Sequence, residues 1–125
     1  MNTPTTTVAM LLVTLVLTPF SSAGAREVLA LQVSPRTAMG PTSIRVRAVV
    51  EHDSTNRMLE VSADSGGVYQ SSAIELDGDE AAKINEVVFR DMPKGEYEII
   101  VRLLDSSGRV RALARSSVTI AGDVD

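Results

Sequence analysis

The chain has 125 residues, with 12 basic and 16 acidic side chains, one His, no Cys and no Trp. That length fits one domain, and a mildly acidic balance of mixed sign excludes the basic footprint of a nucleic-acid-binding protein. The absence of cysteine excludes a disulfide framework, a thiolate metal site and lipid attachment through an N-terminal cysteine.

The first 25 residues carry no charged side chain. Val8 to Leu17 is almost purely apolar, Pro19 and Phe20 follow, and the stretch ends Ala23-Gly24-Ala25 before Arg26. An apolar run too short to span a bilayer, followed by small residues in an A-x-A pattern, is the layout of a secretory signal peptide. The sequence therefore predicts an exported protein, secreted or periplasmic, with a signal peptide over 1–25. The mature domain is predicted over 26–125, without a transmembrane segment.

From Arg26 onward the dominant signal is alternation of apolar and polar residues with period two, the mark of strands with one buried face. Leu29, Leu31 and Val33 alternate with Val28, Ala30 and Gln32. Pro35 and Pro41 bracket a segment that is extended or turning. Ile44, Val46, Ala48 and Val50 face one way and Arg45, Arg47, Val49 and Glu51 the other. A polar loop from His52 to Asn56 leads to a strand with Leu59, Val61 and Ala63 inward. Val68 to Leu76 reads as a strand at a sheet edge, Asp77-Gly78-Asp79-Glu80 as a turn, and Ala81 to Phe89 as a β-favouring run. The chain closes with a hairpin. Tyr97, Ile99, Val101 and Leu103 form its inner face before the Asp105–Gly108 turn, and Val110, Ala112, Ala114, Ser116, Val118 and Ile120 form it after.

About seven short strands with no sustained helical period predict an all-β, antiparallel sandwich of two sheets. Gly95-Glu96-Tyr97 opens an alternating strand, after Phe89 at a strand end and Pro93. This resembles the tyrosine corner of bacterial immunoglobulin-like and fibronectin type III-like domains. The resemblance implies strands A, B, C, C′, E, F and G, and structural roles for Phe89, Pro93, Gly95 and Tyr97. It also implies that the Tyr97 hydroxyl bonds back to the backbone of the corner. The Cys…Trp…Cys set of antibody domains is absent. A transthyretin-like or carboxypeptidase-regulatory sandwich, which also starts a strand with Gly-x-Tyr, is the alternative topology.

Residues for catalysis are sparse. His52 is the one histidine, in a polar loop, so neither a Ser-His-acid arrangement nor a zinc site has its ligands. Asp77, Asp79 and Glu80 surround a glycine, and closely spaced carboxylates of this kind can hold calcium. The twelve-residue EF-hand pattern is not met, and a solvated turn is the favoured reading over calcium. The outward face of the final hairpin is more informative. Ile100, Arg102, Leu104, Arg109, Arg111, Leu113 and Arg115 mix arginine with apolar side chains, as interfaces do. Arginine stems covering apolar surface, and charges guarding a long strand, explain the same residues without a partner.

The sequence thus predicts an exported, non-catalytic binding or scaffolding module without cofactor, whose partner is a protein. The alternatives are a structural subunit assembling through sheet edges and a calcium-stabilised adhesion-type domain.

Overall fold

Each run of alternating residues becomes a strand because its apolar side chains can all reach one core while its polar ones stay in water. The computed structural model describes residues 28–122. The apolar N-terminal run and the Ala25–Arg26 junction lie outside the described residues. The described strands are β1 (Leu29–Ser34), β2 (Thr37–Met39), β3 (Thr42–Val50), β4 (Met58–Asp64), β5 (Tyr69–Glu75), β6 (Ile84–Met92), β7 (Gly95–Leu104) and β8 (Val110–Ala121). A single 3-10 turn, Gly78–Glu80, is the one helical piece among the described residues.

The strands form two sheets, one ordered β1-β3-β6 and the other β2-β8-β7-β4-β5. Their inward faces share one core. Val33, Ile44, Val46, Ala48, Val50 and Phe89 come from the three-stranded sheet, and Leu59, Val61, Tyr97, Ile99, Val101, Leu103, Val118 and Ile120 from the five-stranded one. Burying one such aliphatic side chain stabilises the fold by about 1.5–3 kcal/mol, so this shared face is the main source of stability.

At the start of β7 the Tyr97 ring is buried and its hydroxyl donates to the Pro93 carbonyl at 2.8 Å. The hydroxyl is thereby satisfied at the edge of the core, where an unpaired one would be costly. Gly95 allows the approach. A side chain there would meet the Ser65 Cβ at 3.2 Å and the Tyr97 ring at 3.4 Å.

The structure departs from the expected layout in three ways. Among the described residues eight strands form instead of about seven, because the segment between Pro35 and Pro41 contains β2. Pairing is not wholly antiparallel: β2 runs parallel to β8, with Thr37 opposite Thr119 and Met39 opposite Ala121. The ends of that pair are held by Thr119 N donating to Arg36 O at 2.8 Å and Gly40 N to Ala121 O at 2.7 Å. The final hairpin also carries a bulge. Leu103 pairs with Ala112 and Leu104 with Val110, so Arg111 is the extra residue. A bulge resets the inside–outside alternation on its strand. Val110, expected inward, is 51 % exposed, while Leu104, expected outward, is buried.

Candidate interaction surface

Two groups of polar side chains were candidates, one at the end of the sheets and one on the outer face of the five-stranded sheet. Their chemistry differs. At the end, the bulge turns Arg111 inward toward the loop that joins β3 to β4. Its Nη1 donates to Asn56 Oδ1, and its Nη2 contacts Asp53 Oδ2 at 3.0 Å. Asn56 is buried, and its Nδ2 donates to Glu51 O at 2.9 Å. Its carbonyl accepts from Gly78 N at 3.1 Å and from Arg57 Nη1 at 3.0 Å. A buried asparagine with these partners fixes three chain segments to one another, since each unpaired polar atom would incur a desolvation penalty.

Asp53 also accepts from the Thr55 hydroxyl at 2.6 Å and the Thr55 N–H at 2.8 Å. Those bonds, with the nearby Arg111 guanidinium, hold its carboxyl below its ordinary value despite some desolvation. Asp105 does the same in the β7–β8 turn. The Ser107 hydroxyl at 2.6 Å and the Arg109 N–H at 3.0 Å lower its carboxyl. Both carboxylates are turn anchors. Arg111, read from the sequence as a partner-binding side chain, is therefore committed to internal bonds, and Leu104, the last residue of β7, is buried and leaves the candidate surface as well.

The acidic turn forms no comparable centre. Asp77 precedes the 3-10 turn, Asp79 and Glu80 are exposed, and no cluster of three or more potential metal ligands is present among the described residues.

On the outer face, β5, β4, β7 and β8 lie side by side. Arg102 stands opposite Glu60 on β4 and opposite Leu113 on β8, and Ile100 stands opposite Arg115. Arg115 is in an exposed pair with Glu98 at 3.6 Å. Arg102 and Glu60 are both half-buried, yet neither makes an ion pair or side-chain hydrogen bond among the described residues. A shallow groove of about 220 Å³ lies beside them, lined by Glu60, Ser62, Tyr69, Ser71, Ala73 and Arg102. Tyr69 is 63 % exposed and Leu113 43 %. Sequence reasoning missed the β4 and β5 part of this groove. Its signal was present in the outward positions Glu60 and Ser62, but nothing local places β4 next to β7.

The outer face of the three-stranded sheet differs. There Glu86 sits between Arg45 at 3.2 Å and Arg47 at 3.7 Å, so its charges answer one another.

No protein family matches the chain, and no curated protein matches it in sequence. Among solved structures it is similar to a family 76 glycoside hydrolase from a bovine Bacteroides thetaiotaomicron strain. That likeness has a TM-score of 0.53 at 16% identity, covering 74% of this chain but 20% of the hydrolase, so the chain spans about a fifth of that enzyme's length. It is also similar to a single-substitution variant of a superoxide reductase (neelaredoxin) from Ignicoccus hospitalis, with a TM-score of 0.52 at 14% identity, over 82% of this chain and 85% of the reductase. At such identities the likeness is one of fold. No helix among the described residues is long and apolar enough to cross a membrane.

Proposed function

We propose that the chain is an exported, non-catalytic binding module of the immunoglobulin-like class, and that the outer face of its five-stranded sheet receives a protein partner. The observation that carries the site is Arg102. It is a half-buried side chain without an ion-pair partner among the described residues, set beside Glu60, Ile100 and Leu113. Charged side chains without an ion-pair partner beside apolar ones are well suited to a complementary surface.

Two observations support the immunoglobulin-like class over a transthyretin-like one. In the letters of that fold the sheets are A-B-E and A′-G-F-C-C′, and the hydroxyl of Tyr97 bonds to the backbone four residues upstream, as a tyrosine corner does. Export rests on the sequence of the first 25 residues, and N-terminal sequencing of exported protein should begin at Arg26. A retained Met1 would remove that part of the reading. The non-catalytic reading rests on composition, with a single His and no Cys.

The site is tested by placing a photo-crosslinking residue at Leu113 or at Ile100, and as a control at Val88 on the opposite sheet. The expected result is a discrete adduct from the first two positions and none from Val88. Equal labelling from all three positions, or none, contradicts the site.

A further inference from the structure

β5 ends the five-stranded sheet and has no neighbour on its far side among the described residues. Its pairing to β4 fixes which backbone groups are free. Leu76 N donates to Arg57 O at 2.9 Å, and Val68 O accepts from Ser65 N at 3.0 Å. Even-numbered residues therefore face β4, and since alternate residues point opposite ways, Tyr69, Ser71, Ala73 and Glu75 direct their N–H and C=O groups to the open edge. Exposed edges are commonly guarded by charge, proline, bulges or shortness. β5 has no proline, no charge from Tyr69 to Ile74, and an unbroken register with β4. The other edges are less open. β6 carries Glu86, Arg90 and Asp91, with a register irregularity in its pairing to β3. β2 has three residues, and β1 runs close beside β8 and is followed by Pro35.

We propose that β5 pairs antiparallel with β5 of a second copy about a two-fold axis, joining two five-stranded sheets into one. With Ser72 on the axis, Ser71 stands opposite Ala73 of the other copy and Tyr69 opposite Glu75. All four residues that face the open edge then exchange backbone hydrogen bonds, and the inside–outside alternation of both sheets is kept. Charges suit a second copy in this orientation. Each Glu75 carboxylate meets a Tyr69 hydroxyl that can donate to it, and Asp77 falls opposite Gly67. Parallel pairing in register would instead bring Glu75 against Glu75. The contact is self-complementary and uses up the open edge of each copy, so assembly closes at a dimer. It brings the two grooves onto one side of the joined sheet and leaves Leu113 uncovered. The pairing does not depend on the partner site proposed above, and either can fail alone.

Light scattering of the purified protein across a concentration series tests the assembly, and amide hydrogen exchange tests its geometry. The expected result is a monomer–dimer equilibrium with no larger species. The amides of Tyr69, Ser71, Ala73 and Glu75 become protected as the dimer forms, while those of Gln70, Ser72 and Ile74 are protected throughout. Ser71→Pro removes an N–H that bonds nothing within one copy and should weaken the dimer roughly tenfold or more. Leu113→Asp should leave it intact. A monomer at every concentration up to ~1 mM, unlimited polymers, or a dimer in which the four edge amides stay unprotected would overturn the proposal.

Discussion

Tyr97 joins the core and the turn before β7 through two separable contributions. Its ring is buried and its hydroxyl reaches Pro93 O at 2.8 Å. Tyr97→Ala should cost about 3–5 kcal/mol in denaturant unfolding, as loss of a buried ring does. Tyr97→Phe should cost about 0.5–1.5 kcal/mol from the hydrogen bond alone. A neutral Tyr97→Phe would remove the corner, and a neutral Tyr97→Ala would contradict the burial of the ring. Asp53 makes a second prediction at this scale. The Thr55 hydroxyl, the Thr55 N–H and Arg111 all favour its charged form in the folded chain. Its folded pKa lies below its unfolded one, so its contribution to stability is present above the unfolded value and is lost as pH falls through the folded value. A carboxyl NMR titration should place Asp53 below the ordinary range, and Thr55→Val should raise it. Tyr97 was readable from the sequence because the Gly-x-Tyr strand start is local. Asn56 was not: in a run of His, Asp, Ser and Thr it reads as solvated loop, and its burial depends on Arg111, 55 positions away.

The elements followed the alternation wherever the period ran unbroken. β3, β4 and β7 bury the residues their patterns assign, Ile44 through Val50, Leu59 through Ala63 and Tyr97 through Leu103. β8 did not, because Arg109-Val110-Arg111-Ala112 keeps perfect alternation through the bulge, so nothing in the residues marks the extra one. The turn before β6 holds a strict requirement. Gly78 has φ of 53°, and a side chain there would lie 2.7 Å from Arg57 Nη1 and 2.9 Å from Ser54 O. Gly78→Ala should therefore destabilise by about 1–3 kcal/mol in thermal or denaturant unfolding. Gly66→Ala, where φ is 87° but space is open, isolates the backbone part of that cost. Equal losses at both sites would mean that the crowding at Gly78 relaxes freely.

At the scale of the molecule, strand existence was readable while strand neighbourhood was not. Periodicity marks which residues share a face, but β2 pairs with β8 across some 80 residues of sequence, and β4 sits beside β7 only because the core is shared. The candidate surface was accordingly half visible. Ile100, Arg102 and Leu113 stood out on the hairpin, while Glu60, Ser62 and Tyr69 came into view once the sheet was assembled. The proposed function divides the polar groups in two: the Asn56–Arg111 cluster maintains the fold, and the Arg102–Leu113 face meets the partner. The double variant Arg102→Gln, Leu113→Asp, which puts no like charge opposite Glu60, tests that division most directly, measured for both thermal midpoint and retention of the photo-crosslinked partner. The account predicts an unchanged midpoint with the partner lost. A collapsed midpoint, or a partner retained in full, would contradict it.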